Sequence, residues 1–150
     1  MYETKKKFFI MKIFIYAPSP LGLHPVIQCC QFVLDFFVKD NQNSRVLACI
    51  KDPDKSLDIL STSEPFIFIF YDISLDEVKK VLAIFESKYP TDLKKMIYIT
   101  SYSSNQEVSG KLKEIEKMGV AIFRPSGDYL SQHFRHTLYE YLVKATYSLI

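Results

Sequence analysis

Five short runs of almost wholly apolar residues punctuate the chain. They are rich in Ile, Phe, Val and Tyr, and they span Lys12 to Ala17, Arg45 to Ile50, Phe66 to Tyr71, Met96 to Thr100 and Val120 to Phe123. None shows the strict alternation of a strand with one solvated face, so both faces of each run are expected to be covered. This pattern is typical of a parallel sheet enclosed between two layers of helices.

Segments with helical spacing lie between and after these runs. Ser74 with Glu77 three residues later is a capping-box pattern ahead of apolar residues at helical intervals. Ser104 with Glu107 repeats this pattern, and Gly119 stands where a C-terminal cap is expected. These patterns therefore predict one helix that starts after Ser74 and another that runs from Ser104 to Gly119.

The predicted order of elements is strand then helix, five times over. The weakest helix lies around Lys55 to Leu60, and the last begins near Gly127 or Asp128. With right-handed crossovers, this order predicts an α/β fold of the three-layer, doubly wound kind. Its five-stranded parallel sheet would have the flavodoxin-like strand order 2-1-3-4-5. We expect one domain over 1–150, in which 1–11 is an N-terminal extension or the start of the first strand.

The composition argues against several classes of protein. The formal charge of +2 comes from 19 basic and 17 acidic side chains that are interspersed, so nucleic-acid binding is not expected. A membrane span is not expected either, because no stretch of about 18 uncharged apolar residues occurs. Cys29, Cys30 and Cys49 are odd in number and suggest no disulfide framework, so we expect a reducing, cytoplasmic compartment.

Polar residues follow several of the predicted strands. Asp72 follows the third strand, Thr100 and Ser101 follow or end the fourth, and Arg124 follows the fifth. The first strand leads into a proline-rich loop, 18–25. Because ligands gather at the carboxyl ends of the strands in doubly wound sheets, these residues should converge on one crevice.

This arrangement resembles the receiver domains of two-component response regulators. That family carries a phosphoacceptor aspartate at the end of the third strand, a Thr or Ser ending the fourth and a Lys-Pro ending the fifth. Asp72, Thr100 and Arg124-Pro125 occupy the matching places. The resemblance implies a phosphoacceptor site made of Asp72, Thr100, Ser101 and Arg124.

The departures from the receiver pattern predict that this site is vestigial. Receivers place two acidic residues after the first strand because Mg²⁺ requires oxygen ligands, whereas this chain has Ala17 and Pro18. Arg124 replaces the family's lysine, and Ala121 stands at its aromatic switch position. We therefore expect no catalysis, no bound metal and no cofactor.

The predicted helix after the first strand is apolar nearly all round. Its apolar residues are Val26, Ile27, Cys29, Cys30, Phe32, Val33, Leu34, Phe36, Phe37 and Val38. One side should pack on the sheet, so the opposite side requires cover from a neighbouring helix, the N-terminal extension or another molecule. Phe32, Phe36 and Phe37 are the candidates for a partner-binding surface.

The leading hypothesis is a degenerate receiver, or pseudo-receiver, a non-enzymatic signalling module that binds a protein partner or forms a homodimer. The dimer would use the first helix or, as the receiver resemblance implies, the fourth and fifth helices. One alternative is a small-ligand or flavin/nucleotide-binding domain using the loop Ser19 to His24. The other is a phosphorylation-competent response regulator in which Asp52 and Asp54 supply rearranged acidic ligands to Asp72.

Overall fold

The computed structural model describes residues 11–20, 23–37, 46–49, 65–88, 94–100, 106–124 and 132–149. The prediction of an α/β domain built on a parallel sheet is confirmed. The helix expected around Lys55 to Leu60 and the start expected near Gly127 or Asp128 lie outside the described residues. The elements are β1 (Lys12–Tyr16), α1 (Leu23–Phe37), β2 (Val46–Cys49), β3 (Phe66–Tyr71), α2 (Leu75–Lys88), β4 (Lys94–Ile99), α3 (Gln106–Lys117), β5 (Ala121–Phe123) and α4 (Gln132–Leu149).

The strands pair only in parallel, in the order β2-β1-β3-β4-β5. The fourth strand begins two residues earlier than its apolar run, at Lys94 and not at Met96. Lys94 and Lys95 belong to the sheet because they continue the ladder opposite Phe66 and Ile67. Both lysines are half-buried, and their long side chains can cover apolar surface while the ammonium groups reach water.

The central strand β3 is buried on both of its faces. Successive side chains of a strand point to opposite sides of the sheet, so the sequence FIFIFY sorts its residues into two sets. The three phenylalanines pack with α2 and α3, and the two isoleucines, with Tyr71, pack with α1 and α4. Helices therefore cover both sides of the sheet, as the lack of alternation predicted.

Aromatic rings fill the layer between β3 and α2. The Phe68 ring stacks on Phe14 of β1 with 4.8 Å between ring centroids, and it meets Phe70 edge-on at 4.8 Å. Phe85 of α2 meets Phe68 edge-on at 5.1 Å and lies 5.5 Å from Phe66. These offset and edge-to-face arrangements are the ones that aromatic quadrupoles favour.

The predicted start of α2 and the predicted end of α3 are present. The Ser74 Oγ accepts a hydrogen bond from the backbone N–H of Glu77 at 3.3 Å, as an N-cap does. Gly119 has a φ of 90°, and its N–H donates to the carbonyl of Glu116 at 3.0 Å after α3. The cap predicted at Ser104 lies outside the described residues. In the described parts of the chain, the helices are too short or too polar to cross a bilayer.

Replacing Phe68 with Ala should lower the free energy of unfolding by about 3–5 kcal/mol, because the change removes a fully buried ring and leaves a cavity. Phe68→Leu should cost less, since it refills part of that volume. Urea-induced unfolding followed by circular dichroism measures both changes. Lys113→Ala, at an exposed position of α3, is the control, and equal stabilities of the Phe68→Ala and Lys113→Ala variants would contradict this account.

Candidate functional site

The sheet register aligns three of the predicted site residues. The last pairs of the β3–β4 and β4–β5 ladders lie level with each other at the carboxyl edge of the sheet. Asp72, Thr100 and Arg124 each follow the last residue of those strands and therefore form one row. Thr100 is buried and Arg124 is exposed. Ser101, the fourth predicted member, lies outside the described residues.

Pro18 follows β1 at the same edge of the sheet. The last pair of the β1–β3 ladder is Tyr16 with Phe70, so Pro18 and Asp72 each come two residues after that pair. Ala17 before it is fully buried, and neither residue carries a side-chain oxygen. Among the described residues, no cluster of three or more His, Cys, Asp or Glu side chains could hold a metal ion. Asp52 and Asp54 lie outside them.

Asp72 has a backbone role at the end of β3. Its φ is 52°, in the left-handed region that a non-glycine residue rarely adopts and that Asp tolerates better than most. Its N–H donates to the carbonyl of Ile99 at 3.0 Å, which extends the β3–β4 ladder by one bond. The chain then turns so that Ile73 is buried and Ser74 can cap α2.

Lys111 of α3 brings a positive charge near Asp72 at the carboxyl edge of the sheet. Its Nζ lies 5.2 Å from the ring centroid of Tyr98, whose hydroxyl donates to the carbonyl of Ile73 at 2.6 Å. Burial lowers the pKa of Lys111, and the charge of Asp72 acts against that shift. Burial, and then the Asp72 charge, raise the pKa of Tyr98. Asp72 thus acts electrostatically on both side chains.

Sequence reasoning missed Lys111 and assigned the cation of this site to Arg124. The only available signal was position, because Lys111 directly precedes Leu112 on the apolar side of α3. A lysine at the border of an apolar face can lay its stem on the core and carry its charge to the rim. Which strand end that charge would reach depended on the packing of α3 against the sheet.

A second carboxylate, Glu77, is tied to the end of β1. The Tyr16 hydroxyl donates to Glu77 Oε2 at 2.7 Å, and Lys80 Nζ lies 3.4 Å from Oε1. The Tyr16 hydrogen bond holds the pKa of Glu77 below its ordinary value, with Lys80 adding to the shift and burial opposing it. The capping-box pattern had suggested only a bond from Glu77 back to its own helix.

A different surface is formed by α1 and α4, which we call the α1–α4 face. Three large hydrophobic side chains are exposed among the described residues, and all three lie on this face. They are Phe32, Phe36 and Tyr147, at 61%, 42% and 39% exposure. The expectation for Phe37 must be corrected. Its ring is 1% exposed and packs edge-on against Tyr147 at 5.0 Å, so α4 already covers it.

A groove of about 360 Å³ opens on the α1–α4 face beside Phe32. Its lining residues are Gln28, Cys29, Phe32, Gln132, Arg135, His136 and Tyr139. Arg135 Nε is buried and has no hydrogen-bond partner in the described parts of the chain. Burial raises the pKa of the Cys29 thiol to about 11, which makes it unreactive at neutral pH, and the thiol contacts the Arg135 carbonyl oxygen at 3.4 Å. The groove thus combines aromatic and polar side chains with a buried guanidinium Nε that has no partner among the described residues.

A larger cleft, of about 610 Å³, opens between α2 and the amino ends of β4 and β5. Lys79, Lys94 and Lys95 line it above Phe85 and Met96. This cleft lies at the edge of the sheet opposite to Asp72, and it includes none of the predicted site residues.

No protein-family model matches the chain, and no curated protein matches it in sequence.

The left-handed backbone at Asp72 predicts an order of stability among two variants that both lose the carboxylate. Asp72→Gly should be more stable than Asp72→Ala by about 1–2 kcal/mol, because only glycine adopts this conformation without a Cβ penalty. Urea unfolding of both variants measures the difference. Equal stabilities would contradict a left-handed residue at this position.

The Tyr16–Glu77 hydrogen bond predicts an acid-dependent stability. A folded-state pKa below the ordinary 4.5 means that the stabilisation is present above that value and is lost as the pH falls through the folded pKa. Tyr16→Phe should raise the Glu77 pKa and flatten the fall in unfolding free energy over this range. Carboxyl-carbon NMR titration and urea unfolding measure both effects. Tyr139→Phe is the control, and an unchanged Glu77 pKa in Tyr16→Phe would contradict the assignment.

Proposed function

We propose that this chain is a receiver-like regulatory module that works through protein–protein contacts of its α1–α4 face, without magnesium-dependent phosphorylation. The observation that carries the proposal is that every large hydrophobic side chain exposed by the described residues lies on that face. Scattered exposed apolar residues are ordinary, but a group of aromatic ones on two adjacent helices marks an interaction site.

The receiver resemblance is supported by the arrangement of the carboxyl edge. The strand order β2-β1-β3-β4-β5 supports a flavodoxin-like, doubly wound topology. Within it, Asp72, Thr100 and Arg124 stand in one row, as a receiver's phosphoacceptor site requires of its third, fourth and fifth strands. Lys111 adds a cation near Asp72 that comes from a helix.

Electrostatics supports a site without phosphoryl transfer. Transfer to an aspartate brings two negative groups together, and Mg²⁺ ordinarily neutralises them while held by several oxygens. Pro18, which follows β1 at the same edge of the sheet as Asp72, offers no such oxygen, and the Glu77 carboxylate is engaged by Tyr16 and Lys80. Lys111 neutralises one charge but cannot bridge two phosphate oxygens and a carboxylate as a divalent cation does.

The two alternatives find less support among the described residues. For a flavin or nucleotide, the loop before α1 would have to supply backbone donors, and Pro18 and Pro20 have no N–H. For a competent phosphoacceptor, the missing oxygens would have to come from Asp52 and Asp54, which lie outside the described residues. The two alternatives predict different results, since one predicts labelling by a phosphodonor and the other predicts a flavin-bearing chain on purification.

The full chain should acquire no label from acetyl phosphate and Mg²⁺ that depends on Asp72, because the metal lacks its ligands. Phosphoprotein electrophoresis and intact-mass spectrometry measure this, with Asp72→Asn as the control. Labelling of the native chain that is lost in Asp72→Asn would overturn the proposal. A yellow, flavin-bearing chain on purification would overturn it in favour of the ligand-binding alternative.

Pro18→Asp is the matched gain-of-function variant, since it places a carboxylate at an exposed position after β1, at the same edge of the sheet as Asp72. This variant should gain a Mg²⁺-dependent change in the backbone NMR signals around Asp72 that the native chain lacks. A Mg²⁺-dependent change in the native chain as large as that in Pro18→Asp would show that the native site already holds the cation.

A further inference from the structure

We propose that the partner of the α1–α4 face is a second copy of this chain, bound about a two-fold axis that passes near Phe32. This inference rests on the proposed function in taking that face as the contact surface, and it goes further by naming the occupant. The common direction of α1 and α4, the groove beside Phe32 and the charges of Asp35 and Arg135 support a second copy as the partner.

The two helices run side by side in the same direction. Near their beginnings, the Cys29 thiol contacts the Arg135 carbonyl oxygen at 3.4 Å. Near their ends, the Phe37 and Tyr147 ring centroids are 5.0 Å apart. Each position along α1 therefore lies beside a definite position along α4, and Cys29 lies beside Arg135.

The face carries both a projection and a recess. Phe32 is 61% exposed, the largest exposure of any bulky apolar side chain among the described residues, and it stands at the rim of the 360 Å³ groove. In a two-fold interface the same patch meets itself, so a projection must lie close to a recess that can receive it. Phe32 of each copy can then cover the groove of the other.

The charges on the α1–α4 face also favour a second copy of the chain. Asp35 is exposed, one turn after Phe32, and its Oδ1 accepts a hydrogen bond from Gln31 at 3.1 Å on the same ridge of α1. Arg135 lies in the groove with Nε buried and without a partner among the described residues. The face thus carries an exposed carboxylate at Asp35 and a half-buried guanidinium at Arg135 in the groove, which are charges of opposite sign.

The levels of these two charges match a two-fold axis at Phe32. With a rise of about 1.5 Å per residue, Cys29 lies about 4.5 Å before Phe32 along α1, and Asp35 lies about 4.5 Å after it. A two-fold rotation at Phe32 exchanges these levels. It brings Asp35 of each copy to the level of Cys29, and hence of Arg135, in the other.

A second copy fits this face better than an unrelated protein does. To bind an unrelated partner, this face would need only a projection or only a recess, and charged groups of only one sign. This face carries both members of each pair, spaced symmetrically about one residue, which is the condition for self-association through an isologous interface.

Sedimentation velocity of the full chain from micromolar to millimolar concentration tests the dimer. Phe32→Glu should weaken self-association at least ten-fold, because a buried aromatic at the centre of an interface dominates its affinity. Ala83→Glu is the matched control, since it adds the same charge at an exposed position of α2, in the other helical layer. It should leave the dimer unchanged.

A charge-swap experiment tests the two-fold geometry itself. Asp35→Lys alone should be monomeric, because each copy would oppose the introduced lysine to Arg135, and Arg135→Glu alone should be monomeric because two acids would meet. An equimolar mixture of the two variants should form a heterodimer through the one cross-contact in which the introduced lysine meets the introduced glutamate, while the other contact keeps the native Asp35 and Arg135. No occupant within the same chain can produce association only on mixing.

Three results would overturn the inference. One is a native chain that stays monomeric, which would leave the face to residues 1–10 or to a different protein. Another is a dimer that Phe32→Glu does not weaken, which would place the contact on another face such as that of α3. The third is a mixture that stays monomeric although both variants keep their helical circular dichroism.

If Arg135→Glu fails to fold, Asp35→Lys, at an exposed position, still decides whether the acid belongs to the contact. The acetyl phosphate experiment is independent of all three and tests the proposed function by itself.

Discussion

The burial of β3 on both faces is the constraint on which the rest of the structure depends. A strand with no solvated face must satisfy its backbone polar groups through neighbouring strands, and β1 and β4 supply those bonds along its length. Its two sets of side chains then require a helical layer on each side. The phenylalanines of β3 pack against Phe85 of α2, and the isoleucines of β3 pack against α1 and α4.

The same strand determines the character of the carboxyl edge. Asp72 takes a left-handed turn, extends the ladder to Ile99 and leads into the cap of α2, so an aspartate at this position has a conformational reason beside any chemical one. The backbone geometry therefore gives a reason for this aspartate that is independent of the proposed receiver resemblance. Among the described residues, no group of acidic side chains that could hold a metal ion surrounds Asp72, and its charge acts on Lys111.

The apolar character of α1 reflects two different demands. One side packs on the sheet, and α4 covers a second part that includes Phe37, because Tyr147 closes over its ring. Phe32 and Phe36 remain exposed, because α4 does not cover them as it covers Phe37. Sequence pattern had grouped these three phenylalanines, since helical spacing tells which residues share a side but not how far a neighbouring helix extends across it.

The sequence by itself determined the α/β class, the parallel sheet and the cap at Ser74. These follow from local physics, namely side-chain periodicity, capping and the handedness of crossovers. Only the tertiary structure decided that Lys111 interacts electrostatically with Asp72, that Glu77 is bound by Tyr16 and that Arg135 Nε is buried without a partner among the described residues. The residues of each such contact are far apart in the chain, and their meeting depends on how each helix is placed on the sheet, which no local pattern encodes.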